Sequence, residues 1–395
     1  MGIAAADCCI CAGTFSRRLV RFERVPKSGS FLTPGQGRVV ARDLDFRYCP
    51  SCGLVALQGL SDEAVDYTEV DRGTKRQLPG YVDRILARLE TSACKESLVI
   101  EVGANDGTFL DLLAARGFAN RLGIEPSRSL SQVCVANGHT MECVHLDDQT
   151  ADAIRRVHGT AAAIVCRHTL EHVPSPARLI VAIGRLLDED GTLLMEVPGA
   201  ASILRDLKAY ELWDEHLHYF SEGNLAQLLR SNGFRGVEIE SVPHLGSENI
   251  VAWARKGTAR AEEVAFGGID PQAGLESFAG RWDAFRAHML EESRTWAHPV
   301  YAIGASHPQS NFLAYAGLGG MVDALIDDDP SKQGLLVPLA RPTLIVPTSS
   351  LAEGQAPGTV LMTGFGYEGW TTKIRQFVEG RGTRMVDVSA NLASF

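Results

Sequence analysis

The chain has 395 residues, of which 45% are hydrophobic and 22% charged, and it carries a formal net charge of −10. That length exceeds what one compact core supports and implies two or three domains, since a domain usually runs to about 100–200 residues. The composition excludes a disordered chain, and the negative charge argues against a nucleic-acid partner, whose phosphates call for clustered Lys and Arg. No apolar run approaches the roughly 20 residues that span a bilayer. The N-terminus has no basic stretch followed by an apolar signal core, so the expectation is a cytoplasmic protein with no membrane partner.

Nine cysteines, an odd number, argue against a disulfide framework in such a chain. Four of them form two knuckle-like pairs, Cys8-x-x-Cys11 and Cys49-x-x-Cys52, the second followed by Gly53. Four thiolates suit a tetrahedral Zn²⁺ with no open position, so the metal would be structural. Cys9 is an alternative ligand to Cys8. The stretches Leu19 to Val25 and Arg38 to Tyr48 between the pairs read as β-hairpin material.

Apolar spacing from Leu78 to Leu89 predicts a helix leading into a second unit. Strands are then expected at Leu98 to Val102, Leu122 to Glu125, Thr140 to Val144, Ala162 to Cys166 and Thr192 to Val197, with helical stretches between them. This alternation is that of a doubly wound parallel sheet, whose ligands lie outside the carboxyl ends of the strands. A helix from Ser221 to Asn232 and an antiparallel pair, Val237 to Val242 and Asn249 to Arg255, close the unit. The polar stretch from Lys256 to Gly268 is the expected boundary. A long helix across Leu275 to Trp296 and strands at Val300 to Ile303 and Val322 to Ile326 open a second α/β unit.

Glu101-x-Gly103-x-Asn105-Asp106-Gly107 follows the first strand of the central unit and gives the backbone a tight turn with room beside it. It lacks the third glycine and the spacing that bring a pyrophosphate to a helix N-terminus. Glu125 ends the next strand, where a carboxylate can hold both hydroxyls of a ribose. Together they suggest an adenosyl ligand without a pyrophosphate. Further on, Trp213-Asp214-Glu215-His216-Leu217-His218-Tyr219-Phe220-Ser221 crowds proton-transfer groups into nine positions. A histidine there can remove a proton near neutral pH.

The runs EVGANDGTF at Glu101 to Phe109, GIEP at Gly123 to Pro126, RHTLEHV at Arg167 to Val173 and LLMEVP at Leu193 to Pro198 resemble class I S-adenosylmethionine-dependent methyltransferases. With the two cysteine pairs before them, the Glu215-His216-x-x-Tyr219-Phe220-Ser221 segment and a C-terminal Rossmann-like unit after them, nearly the whole chain resembles the nucleotide-sugar C-methyltransferases of deoxysugar biosynthesis. The resemblance implies an α/β protein in three parts: a zinc-binding domain over 1–70, a methyltransferase domain over 71–256 and a Rossmann-like substrate domain over 257–395. It implies S-adenosylmethionine and structural Zn²⁺ as cofactors, and methylation of the carbon beside the ketone of a nucleotide-linked 4-keto-deoxysugar in natural-product or antibiotic biosynthesis. His216 is then the general base and Glu215 its partner. Gly103, Asn105, Asp106, Gly107, Glu125, Pro126 and His168 contact the cofactor, and Tyr67, Trp213, His307 and Asn311 line the substrate side. Such a protein acts on a small molecule as a monomer or weak homodimer.

Two departures from the family stand out. Trp213 replaces a Tyr three positions before the histidine, and Gly304 to Asn311 lacks the Lys of a Gly-x-x-x-Lys-Gly loop. They leave open a non-sugar acceptor methylated at carbon, oxygen or nitrogen. A zinc-knuckle binding protein without catalysis is the reading from a different class; Glu125 together with Glu215-His216 argues against it.

Overall fold

The computed structural model describes residues 7–36, 41–59, 78–244, 246–258, 272–351, 357–365 and 368–395. Tyr67 and most of the expected domain boundary after Lys256 lie outside them. The N-terminal part supplies strands β1 (Arg17–Pro26), β2 (Ala41–Tyr48) and β3 (Val55–Gln58). The central part supplies β4 (Val99–Val102), β5 (Arg121–Ile124), β6 (Thr140–Glu142), β7 (Ala161–Arg167), β8 (Leu187–Pro198), β9 (His218–Tyr219), β10 (Phe234–His244) and β11 (Ser247–Lys256). The C-terminal part supplies β12 (Val300–Ile303), β13 (Ala324–Ile326), β14 (Leu336–Val337), β15 (Thr343–Val346), β16 (Thr359–Met362) and β17 (Arg384–Asp387).

Seven of these form the central sheet in the order β10-β11-β8-β7-β4-β5-β6. The five strands from β8 to β6 run parallel, while β10 and β11 pair antiparallel with each other and β11 lies antiparallel on β8. The near-continuous apolar runs of β4 and β7 follow from burial on both faces, which is the condition of a parallel sheet under helices. Expected and observed strands agree within a few residues. The helix expected from Leu78 runs over Tyr81–Ser92 instead, because Pro79 and Gly80 suit an entry turn better than a helix interior.

The C-terminal sheet has the order β14-β15-β13-β12-β16-β17, parallel except for β14. It is a second Rossmann-like layer. The helix Gln272–Ser293 precedes it and carries the buried residues Phe278, Trp282, Phe285 and Met289. These pack in one continuous core with Leu19, Phe22, Leu44 and Phe46 from the N-terminal strands and with Phe312 and Tyr315 from the C-terminal part. Phe22 stacks on Tyr315 at 3.7 Å between centroids and meets the Trp282 ring edge-on at 6.2 Å. A β-layer this small has too little interior of its own, so it completes its apolar face against a neighbour.

The N-terminal sheet is not built from N-terminal residues alone. Its order is β1-β2-β3-β9, so its fourth strand is His218–Tyr219 from the segment rich in proton-transfer groups, with Val55 opposite Tyr219 and Ala56 opposite His218. Nothing local in the sequence announces this pairing.

Candidate active site

The carboxyl edge of the central sheet is shaped by backbone that bulky residues avoid. Gly103, Asn105 and Gly107 have φ of 76°, 50° and 81°. At Gly103 a Cβ would sit 2.0 Å from the Thr169 hydroxyl oxygen, so this position holds glycine for space as well as for conformation. Glu125, buried at the end of β5, accepts the Asn105 N–H and the Ser127 N–H, each at 2.9 Å. Burial pushes its pKa up, against those two bonds. Each carboxylate oxygen retains accepting capacity for a ribose hydroxyl. Pro126 is half-buried beside it.

Two buried carboxylates near this loop, Glu101 and Glu196, were not among the expected cofactor contacts. Glu101 on β4 is 4% exposed, its Oε2 has no hydrogen-bond partner, and burial pushes its pKa up to about 8. Asp106, which accepts from the Thr108 N–H and hydroxyl through Oδ1, leaves Oδ2 without a partner. Unpaired buried acceptors of this kind suit a cofactor that arrives with an ammonium and a sulfonium. Glu196 on β8 is fully buried and well served: it accepts from Tyr81 Oη, from Asn249 Nδ2 at 2.7 Å and from Arg167 Nε at 2.5 Å. A charged residue inside an otherwise apolar strand was the available signal for both Glu101 and Glu196.

His168, at φ 49° just after β7, lies 3.2 Å from Glu196 Oε1 and 3.5 Å from Glu171 Oε1. Burial works against its charge, but the two carboxylates outweigh it and raise the pKa to about 9. His216 has the opposite environment. Burial, with His172, His307 and His168 near it, holds it well below the usual histidine range, so it is a neutral imidazole. A carboxylate oxygen of Glu171 and ring nitrogens of His172 and His216 all lie within 4.8 Å of one another. The rings of His172 and His216 meet edge-on at 4.7 Å.

His216 sits on a segment tied to all three parts of the chain. Leu217 N–H donates to the Glu171 carbonyl at 2.8 Å, and His172 Nδ1 bonds the Glu215 carbonyl at 2.8 Å. Asp214, 2% exposed, accepts from the Ser28 N–H and lies 3.8 Å from Arg42. The Leu212 carbonyl accepts from Tyr315 Oη at 2.7 Å, and Tyr219 Oη accepts the Trp213 N–H at 2.9 Å. Trp213 stacks on His307 at 4.1 Å and meets His216 at 4.6 Å between centroids.

The structure therefore brings His168, Trp213, His216 and His307 together, and adds Glu171 and His172 from the run Arg167 to Val173. Glu215 enters the cluster through its main chain. Asn311 is put to a different use from the substrate contact expected of it: it is 3% exposed, accepting from Ser28 Oγ and donating to the Tyr210 carbonyl. Both ends of its amide are spent tying the N-terminal part and the site segment to the C-terminal helix.

At the other end of the N-terminal sheet, the Sγ atoms of Cys8, Cys11, Cys49 and Cys52 lie within 4.8 Å of one another, with two of the pairs at 3.5 Å. Sulfurs about 3.8 Å apart are what tetrahedral Zn–S bonds of about 2.3 Å require. Gly13 lies against the cluster, where a Cβ would come within 3.0 Å of Cys49 Sγ. The converging set contains Cys8 and not Cys9. These residues fit a structural zinc.

The profile described as a methyltransferase domain matches residues 74–239, and that of the C-methyltransferase C-terminal domain matches residues 254–386. The chain is a S-adenosylmethionine-dependent methyltransferase. C-methyltransferase NovU of Streptomyces niveus is 27% identical over 384 residues, which cover 91% of this chain and 90% of that one. A ubiquinone biosynthesis O-methyltransferase of Nitrosomonas europaea is 30% identical over 169 residues, 39% of this chain and 68% of that one. A methyltransferase structure from Archaeoglobus fulgidus covers 44% of this chain and 93% of its own at 16% identity and a TM-score of 0.39. With both profiles in order and the first relative matched nearly end to end, the chain belongs to the C-methyltransferases.

Burial of neutral imidazoles also sets a pH dependence. Burial lowers the pKa of His218 from 6.5 to about 4, against a hydrogen bond to the Val173 main chain that works the other way. Below pH 6.5 the unfolded chain takes up a proton that the folded chain refuses, so this contribution is whole above 6.5 and is lost as pH falls towards 4. His218→Gln should therefore lose about 2 kcal/mol less stability than the parent between pH 6.5 and 4.5, by urea midpoints. Equal losses would contradict the assignment.

Proposed function

We propose that this methyltransferase acts on the carbon beside the ketone of a nucleotide-linked 4-keto-deoxysugar, in a natural-product pathway. The observation that carries the reading is His216, a half-buried imidazole held towards its neutral form among other rings, on a segment anchored beside the carboxyl edge of the central sheet. When bound, S-adenosylmethionine supplies a methyl that is already electrophilic. The protein's remaining task is to make a carbon nucleophile and hold it in line.

Gly103, Asn105, Asp106 and Gly107 would form the cradle for the cofactor, with Glu125 to accept from its ribose hydroxyls and Pro126 beside them. His168, held cationic by Glu196, suits the cofactor's carboxylate. A ring nitrogen of His216 takes the proton from the carbon beside the ketone. That C–H bond breaks, and its electron pair passes into the enolate. With the cofactor bound, that carbon would be held in line to accept its methyl, the S–C bonding pair leaving with the sulfur. The indole N–H of Trp213 and the ring of His307 are the donors for the enolate and sugar oxygens. Glu215 holds substrate hydroxyls. The four cysteines hold Zn²⁺ with every position filled, so the metal stabilises the N-terminal sheet and takes no part in the chemistry.

A second reading keeps cofactor and fold and exchanges the acceptor for a non-sugar intermediate. The Trp213–His307 stack favours it, because two flat rings suit a planar acceptor better than a sugar.

His216→Ala should reduce turnover at least about 100-fold, the scale of a lost general base, and leave S-adenosylmethionine affinity by calorimetry unchanged. Solvent deuterium should enter the α-carbon with the parent and not with the variant; exchange that persists removes His216 as the base. Cys49→Ser should release the zinc and lower the melting temperature. A variant that stays folded and metal-loaded contradicts the four-thiolate assignment.

A further inference from the structure

Among the described residues, Glu171 is a buried carboxylate in the imidazole cluster that the reaction above leaves unused. It lies in the short turn Leu170–His172 after β7, is 1% exposed, and neither of its carboxylate oxygens has a hydrogen-bond partner. Its charge is matched in part by His168, whose Nδ1 lies 3.5 Å from Oε1, and a buried carboxylate with no closer donor can still stabilise a second cation beside it. Its main-chain carbonyl accepts the Leu217 N–H at 2.8 Å, so the turn and the His216 segment are fastened one residue from the imidazole. Its side chain faces His168 Nδ1 at 3.5 Å, and one oxygen lies within 4.8 Å of the His172 and His216 ring nitrogens.

Resting on the reading of His216 as base, we propose that Glu171 is the positioning carboxylate of that base: it orients the imidazole and receives, across a short gap, the positive charge that His216 acquires with the substrate proton. The arrangement has the logic of a carboxylate behind a catalytic histidine, which stabilises the imidazolium without itself taking the proton. Glu171 also explains how a histidine held so far towards its neutral form can function as a base. In the resting site His172, His307 and His168 disfavour a further cation on His216. Once the proton arrives, Glu171 offers a buried carboxylate oxygen within 4.8 Å of the His216 ring nitrogen, on a turn whose main chain is bonded to the His216 segment. The titratable groups around Glu171 are His168 beyond β7, His172 on the same turn, His216 on the opposing segment, and Cys166 and Tyr219 within electrostatic reach. Glu196 acts on it through His168.

The test compares Glu171→Gln, which keeps the volume and removes the charge, with Glu171→Asp, which keeps the charge and retracts it. With S-adenosylmethionine and a nucleotide-linked 4-keto-deoxysugar, both saturating, Glu171→Gln should lower kcat about 100-fold. Solvent deuterium entry at the α-carbon should fall by the same factor. Because a carboxylate raises the pKa of the base it faces, the acid limb of kcat/KM should move to lower pH in Glu171→Gln. Glu171→Asp should fall between the parent and Glu171→Gln in rate and in acid limb. Parent-like exchange and an unmoved acid limb in Glu171→Gln overturn the proposal, as does an Asp variant as slow as the Gln variant with the parent's acid limb. His216→Ala separates the two readings: if it still exchanges deuterium, the base assignment itself fails, whereas an inactive His216→Ala beside a normal Glu171→Gln refutes only the role of Glu171.

Discussion

The rest of the molecule depends on a short backbone pairing, in which Val55 and Ala56 of the N-terminal sheet take Tyr219 and His218 as their next strand. A segment that begins as a loop from the central sheet thereby becomes an edge of another unit. Its position is then over-determined: Asp214 is held by Ser28 and Arg42, Leu212 by Tyr315, and Leu217 by Glu171. Those partners come from all three parts of the chain. The stiffness a proton-transfer residue requires is supplied by main-chain bonds and buried partners, and His216 is the residue carried between them.

That anchoring also explains why a cysteine cluster with no open coordination position matters to chemistry elsewhere. The knuckles stabilise the layer that includes β3, and β3 receives β9. The layer's apolar face is closed by the helix Gln272–Ser293 and by Tyr315 of the C-terminal part. Displacing any of the three would move the same nine residues. Electrostatics then divides the histidines: Glu196 and Glu171 make His168 a cation, while His216, half-buried beside other imidazoles, is held towards its neutral form. Two groups of one type acquire different charge states within one site, which is how environment assigns separate roles to like residues.

Much of this was legible in the sequence where the signal is local. The Gly103 loop, Glu125 one strand later and the Cys-x-x-Cys spacings are short-range patterns whose geometry follows from backbone constraints, and the parallel strands follow from their apolar runs. The pairing of β9 with β3 was not legible, because two residues carry no periodicity and their partner lies far away along the chain. Glu171 was hidden for a related reason: its importance lies in what it faces after folding. Glu101 and Glu196 could have been noticed as charges inside apolar strands. Asn311 has a role its place in a loop-to-helix turn did not announce, that of a buried tie between units.

The central claim is that the methyl group ends on carbon, at a position made acidic by a neighbouring ketone. The most direct measurement uses S-adenosylmethionine carrying a ¹³C methyl, with a nucleotide-linked 4-keto-deoxysugar as acceptor, and reads the product by carbon NMR. The account predicts a labelled methyl coupled to the ring carbon adjacent to the ketone, at the position where the parent enzyme exchanges deuterium. A labelled methyl bonded to oxygen or nitrogen would contradict it.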